Sequence, residues 1–227
     1  MIQTIKLTKS FKNGDIETKV LKGIDFSATE GQFVAIMGRS GAGKSTFLYQ
    51  MSLLDSPTGG DVILNGTNTK NMGPDEKMKF RLIQFGYVFQ DYALLPDLTA
   101  LENVALPLLM QGFSRRDANK KSKDVLAKMG LAHRVDNLPS QLSGGEQQRV
   151  SITRAVAHDP KILFADEPTA NLDNESSRKV IEIFKELHKE GQTIIMVTHE
   201  LEYAKEAQII VHLDDGKITE ITKNRSV

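Results

Sequence analysis

Apolar and polar residues alternate through residues 2–7, the pattern of a half-buried strand. Residues 10–15, with the pair Asn13-Gly14, predict a turn, and residues 20–27 a second strand. Residues 32–37 are a short apolar run between Gly31 and Gly38, as expected of a strand buried on both faces. Residues 45–54 then read as a helix, residues 57–60 as a turn, and residues 61–64 as a strand closed by Asn65-Gly66. Residues 77–83 are amphipathic at helical spacing, and residues 85–89 form a short strand. From Leu94 to Ala157 the period is helical almost throughout, punctuated by Pro96, Pro107, Gly112, Gly130 and Pro139. The charges along residues 117–129 are those of a solvated helix face. Strand patterns return at residues 162–165 and 192–197. Between them, residues 176–190 place Val180, Ile183, Phe184 and Leu187 at helical spacing. Residues 209–213 and 217–221 predict a hairpin around Asp214-Asp215-Gly216. A β-rich and α/β portion thus brackets a central helical insertion, with no internal repeat and no low-complexity linker.

The chain has 227 residues, enough for one large α/β domain or two lobes sharing a core. Lys plus Arg (29) equals Asp plus Glu (29), so there is no basic excess of the kind a broad nucleic-acid footprint needs. The absence of cysteine excludes a disulfide framework and a thiolate metal site. Residues 1–12 lack the apolar segment of a secretory signal. No apolar run approaches the ~18 residues of a membrane span. The best candidate, residues 104–110, is short and contains Pro107. A role at a membrane would therefore pass through a partner.

Three strand ends carry candidate chemistry. The run Gly38, Arg39, Ser40, Gly41, Ala42, Gly43, Lys44, Ser45 has the spacing G-x-x-x-x-G-K-S between a strand and a helix. Glycines let backbone N–H groups turn inward around phosphate oxygens, and the helix start adds unpaired donors and a positive dipole end. Lys44 would place a point charge on the β- and γ-phosphates, and Ser45 would offer a hydroxyl to Mg²⁺. The strand at residues 162–165 runs into Asp166 and Glu167, at the strand end where α/β sheets bind ligands. Asp166 would hold Mg²⁺, and Glu167 would position the attacking water. His199 follows a third strand and could donate to the γ-phosphate and orient that water.

A second glycine-primed helix start lies at Leu142, Ser143, Gly144, Gly145, Glu146, Gln147, Gln148. Ser143 with Glu146 three residues on is a capping box, which accounts for two of these residues and not for two consecutive glycines. With this motif the chain, from about Ile2 to Ile221, resembles the ATP-binding cassette (ABC) ATPases. Residues 38–45 resemble the Walker A loop and residues 162–167 the Walker B strand. Gln90 resembles the Q-loop glutamine, residues 142–148 the signature motif, residues 170–173 the D-loop, and His199 the switch histidine. Arg39 stands where many members carry proline, and Glu146 where the commonest signature has glutamine. Phe11 is the candidate to stack on adenine, with a core position as its alternative.

The resemblance implies an α/β fold: a P-loop NTPase core with an N-terminal antiparallel β subdomain, and an inserted α-helical subdomain. The whole of residues 1–227 would be one cassette. Residues 1–89 and 159–227 would form the core and β subdomain, and residues 90–158 the helical part with the signature. It implies ATP and Mg²⁺ as ligands. Phe11, residues 38–45, Thr46 and Gln90 would bind ATP, with Ser45, Gln90 and Asp166 about the metal and Glu167, His199 and Lys44 catalytic. It implies a head-to-tail homodimer in which Ser143, Gly144, Gly145 and Glu146 meet ATP held by the other copy, with Asp173 at the interface. Asp91, Tyr92, Leu94 and Leu95 would line a groove for an integral-membrane permease, at the cytoplasmic face of the membrane. Residues 95–108 resemble the subgroup of lipoprotein release, macrolide export and the cell-division complex. The chain ends soon after Ile221, where many importers add a regulatory domain. The alternatives are an importer ATPase, a soluble ABC ATPase without a membrane partner, or a P-loop kinase. The signature and D-loop resemblances argue against the last.

Overall fold

The computed structural model describes residues 1–224. Along the chain run β1 (Ile2–Asn13), β2 (Ile16–Ala28), β3 (Phe33–Met37), α1 (Lys44–Met51), β4 (Gly59–Leu64), β5 (Thr67–Asn68), α2 (Pro74–Gln84) and β6 (Phe85–Val88). There follow α3 (Ala100–Met110), α4 (Arg115–Lys128), α5 (Gly144–Val156), β7 (Ile162–Asp166), α6 (Asn174–Lys189), β8 (Thr193–Val197), α7 (Leu201–Ala204), β9 (Ile209–Asp214) and β10 (Lys217–Lys223). Short 3₁₀ turns lie at Thr69–Asn71, Ala132–Arg134 and Pro139–Gln141. Two compact units result: Met1–Lys79 with the chain from His188, and Phe80–Leu187.

The first unit holds an antiparallel sheet in the order β2-β1-β4-β5 and the strands β10-β9-β3-β8. Strands β9, β3 and β8 are parallel neighbours, and β10 returns antiparallel on β9. Every residue of β3 and of β8 is buried, which explains why both are unbroken apolar runs rather than alternating ones. The expected turn over residues 10–15 is instead mostly strand. Ser10, Phe11, Lys12 and Asn13 continue β1 and pair with Lys19, Thr18, Glu17 and Ile16. Cross-strand pairing outweighs the local turn composition, and only Gly14 (φ 59°) and Asp15 turn the chain.

The second unit contains the parallel pair β6 and β7. Between them in the chain come α3, α4 and α5, the expected helical insertion. Their apolar faces share a core that includes Leu101, Val104, Leu108, Leu126, Leu142 and Val150. Thr99 caps α3 in a capping box with Glu102. Asn103, fully buried, ties down the loop ahead of that helix. Its Oδ1 accepts the Leu95 N–H at 2.8 Å, and its Nδ2 lies within donating distance of the carbonyls of Leu95 (3.1 Å), Leu98 (2.9 Å) and Thr99 (3.1 Å).

Asn103→Ala removes this staple and strands buried backbone groups. We expect a loss of about 2–4 kcal/mol in unfolding free energy by urea titration. A loss under about 0.5 kcal/mol would contradict that role.

Candidate functional site

The first unit carries the phosphate loop. Strand β3 leads into Gly38, where a Cβ would lie 2.1 Å from the Leu213 carbonyl oxygen of β9, so only glycine fits. Gly43 opens α1 at φ 96°, a left-handed conformation that glycine adopts without strain. It contributes no side-chain cap, and the first turn of α1 has no acid. The positive dipole end of the helix is therefore met by no cap and no acid from its own first turn. Lys44 is 6% exposed, and its ammonium folds back to the carbonyls of Gly38 (3.1 Å) and Arg39 (3.3 Å). Ser45 and Thr46 are half-buried on the first turn, while Arg39, Ser40 and Gly41 are exposed.

The loop is braced from behind. Phe47 is buried edge-on against Phe26 of β2, with ring centroids 5.6 Å apart. In the turn between β9 and β10, the Gly216 N–H donates to the Ala42 carbonyl (3.1 Å), and the Gly216 carbonyl accepts the Lys22 N–H (2.9 Å). His199 is exposed just past β8. The pairing of Ile36 with Val197 puts Gly38 and His199 each two residues beyond the same rung of neighbouring parallel strands. Phe11 is 47% exposed on β1, outside the core, with the Lys9 ammonium 5.0 Å from its ring centroid.

The second unit carries the acids and the signature-like helix. Asp166 ends β7 at 4% exposure, and Glu167 follows at φ 44°. A non-glycine residue in that region costs on the order of 1–3 kcal/mol and marks sites where geometry is imposed. Val88 pairs with Ala165, so Gln90 and Glu167 lie two residues past one rung. The backbone carbonyl of Gln90 accepts from the Asn171 side-chain amide (3.0 Å), and the Tyr92 hydroxyl donates to the Asn171 carbonyl (3.2 Å). Tyr92 (φ 64°) and Ala93 (φ 48°) are both left-handed, and the Arg154 guanidinium donates to both their carbonyls (3.0 and 2.6 Å).

Ser143 caps α5 in the expected box with Glu146. The two glycines that the box leaves unexplained have close neighbours, which a side chain at either position would push aside. A Cβ on Gly144 would lie 3.0 Å from the Tyr92 hydroxyl, and one on Gly145 would lie 2.7 Å from the Ser176 hydroxyl. Ser176 in turn is bonded by Asp173, whose carboxylate accepts the Ser176 N–H (2.9 Å) and hydroxyl (2.8 Å). Asp173 thus caps the start of α6. Local pattern gave no sign of Arg134 or Arg154, whose partners are distant in the chain, nor of the approach of Ser176 to Gly145. Among the described residues no group of three or more His, Cys, Asp or Glu could hold a metal by itself.

Three helix-capping carboxyls are held below their usual range: Glu102 by the backbone N–H of Thr99, Glu146 by that of Ser143, and Asp173 by that of Ser176. A carboxyl depressed in the folded state stabilises fully above its unfolded pKa and loses that contribution as pH falls through the folded value. Unfolding free energy should therefore decline below about pH 4. The triple variant Glu102→Gln, Glu146→Gln, Asp173→Asn should show a flatter decline. An unchanged slope in urea titrations from pH 6 to 3 would contradict the caps.

The ABC transporter family model matches residues 21–170. The lipoprotein-releasing system ATP-binding protein LolD of Colwellia psychrerythraea is 40% identical, over 99% of this chain and 87% of its own. The macrolide export ATP-binding/permease protein MacB of Brucella melitensis is 41% identical over all of this chain, which spans 35% of that longer protein. A solved dimeric ATP-binding cassette in a post-hydrolysis state, bound to ADP and phosphate, superposes with a TM-score of 0.93 at 38% identity, covering both chains completely. With the phosphate loop, the acid-tipped strand and the glycine-primed helix all in place, this chain belongs to the ABC transporter family as an ATP-binding cassette.

Proposed function

We propose that this chain is the ATP-hydrolysing subunit of a complex of the lipoprotein-release and macrolide-export type, acting as a homodimer that closes on ATP and drives a separate membrane permease. The observation that carries the reading is the start of α1. It is a glycine-led helix N-terminus with neither a side-chain cap nor an acid in its own first turn, beside a largely buried lysine, which is the form of a phosphate receptor. The residues of the loop, from Gly38 to Thr46, take the phosphates of ATP. Phe11, an exposed ring on β1, takes the adenine face.

The donors Ser45, Asp166 and Gln90 offer hard oxygen atoms, which suit Mg²⁺ better than a softer metal. Mg²⁺ when bound would neutralise charge on the β- and γ-phosphates. Glu167 accepts a hydrogen bond from the attacking water and draws its proton as the water oxygen bonds to the γ-phosphorus, while the bond from that phosphorus to the β–γ bridging oxygen breaks and ADP leaves with the bonding pair. His199 orients the same water and the γ-phosphate oxygens, and Lys44 stabilises charge that develops on them. Ser143, Gly144, Gly145 and Glu146 form the second receptor, for the γ-phosphate of ATP held by another copy, with Asp173 along that interface. The solved relative, itself a dimer with ADP and phosphate, supports this arrangement.

The permease would dock near Asp91, Tyr92, Leu94 and Leu95. Leu95 is 43% exposed, and Phe85, Leu106, Pro107, Met110, Arg154 and His158 line a groove of about 200 Å³. No helix among the described residues is long and apolar enough to cross a membrane. The proposed site of action is the cytoplasmic face of the membrane, held there by the permease. The name of MacB, which joins ATP-binding and permease functions in one chain, supports such a partner.

Glu167→Gln should retain ATP binding, lower ATP turnover by about 100-fold or more, and accumulate as an ATP-bound dimer by light scattering. Turnover near the wild-type rate would refute the assigned role. Lys44→Ala should instead lose nucleotide affinity by about tenfold or more in calorimetry.

A further inference from the structure

The two oxygens of Glu146 make different bonds. Oε2 accepts the Ser143 backbone N–H at 2.8 Å, and Oε1 accepts the Arg134 Nε–H at 2.8 Å. The Ser143 hydroxyl oxygen accepts the Glu146 N–H at 3.3 Å. The same hydroxyl also interacts with the Glu146 carboxylate, so the place of that carboxylate decides whether the hydroxyl proton is spent inside the cap or offered to a phosphate oxygen. The state of Ser143 therefore depends on where the Glu146 carboxylate is held.

Arg134 lies outside the signature motif and is itself rigidly placed. It ends the 3₁₀ turn Ala132–Arg134, next to Leu131, which is fully buried in the helical core. The Arg134 N–H donates to the Leu131 carbonyl (2.9 Å), and its carbonyl accepts the Asn137 N–H (3.0 Å). The Glu146 side chain is 14% exposed and that of Arg134 37%, so the carboxylate end of this ion pair is shielded from water while the guanidinium is partly open to it.

We propose that Arg134 is a positioning residue for the signature serine. Its ion pair fixes the Glu146 carboxylate, which fixes the Ser143 cap and aims the hydroxyl proton at the γ-phosphate of ATP on a second copy. The inference rests on the reading of Ser143 as a contact to that phosphate. Without Arg134 the carboxylate turns toward solvent, the cap is made only part of the time, and the competent population falls.

The test uses Glu167→Gln protein, with dimer formation followed by light scattering as MgATP is raised. Arg134→Ala should raise the half-saturating MgATP about tenfold, and Arg134→Lys should recover most of that shift. The affinity of the monomer for MgADP, measured by calorimetry, should change less than about twofold, because that ligand sits on the phosphate loop. Glu146→Gln keeps one oxygen for the Ser143 N–H and gives up the ion pair. It should shift closure similarly, and adding Arg134→Ala should shift it no further. If Arg134→Ala fails to fold, Arg134→Gln, which keeps much of the side-chain length and gives up the charge, decides the matter in its place. Closure at unchanged MgATP, or a parallel loss of MgADP affinity, would overturn the inference. Ser143→Ala separates the two levels. If Ser143→Ala shifts closure and neither Arg134→Ala nor Glu146→Gln does, only the role of Arg134 falls. If Ser143→Ala also leaves closure unchanged, the signature-loop reading falls with it.

Discussion

A helix that begins without a side-chain cap turns its first backbone N–H groups outward, and the first unit is organised around one such beginning. At α1 the usual remedy is absent: Gly43 has no side chain to offer, and no acid follows. The cost is tolerated because the loop cannot relax elsewhere. Strand β9 crowds Gly38, the Gly216 turn grips Ala42, and the Phe26–Phe47 contact pins the helix beyond it. The receptor is therefore built before its ligand arrives, and little ordering entropy remains to be lost on binding.

The second unit treats its helix starts in the opposite way. Thr99, Ser143 and Asp173 all cap, with Glu102 and Glu146 completing boxes at the first two. At α5 the cap coexists with an exposed serine and two glycines, so one helix end is both satisfied internally and open to an anion. Three loops meet there within the unit. Tyr92 touches Asn171 and crowds Gly144, while Ser176, held by Asp173, crowds Gly145. A side chain on either glycine would have to displace one of these neighbours.

Much of this was legible in the chain. Buried parallel strands announce themselves as unbroken apolar runs, which is why β3, β7 and β8 and the residues at their ends could be placed from pattern alone. The Ser143–Glu146 box was readable because a cap is a local device. The turn expected at residues 10–15 was not where composition put it, because Phe11 and Lys12 are held by strand partners rather than by their neighbours in the chain. The same limit hid Arg134 and Arg154. Each acts on residues 12 or more positions away, through bonds that only the packed helices bring into range.

The segment after Gln90 holds two successive left-handed residues, Tyr92 and Ala93, without a glycine to ease them. Each costs on the order of 1–3 kcal/mol. Among the groups that oppose this is one guanidinium, whose two charged hydrogen bonds return about 1.5–3 kcal/mol each. Burial of Arg154 works against its charged form, which trims that return. The segment is thus held under strain, by Arg154 at its carbonyls and by Asn171 at the Gln90 carbonyl and the Tyr92 hydroxyl. Loss of the bonds to Arg154 would leave that backbone strain opposed by the Asn171 contacts alone, so whatever touches this segment acts on stored energy rather than on a slack loop.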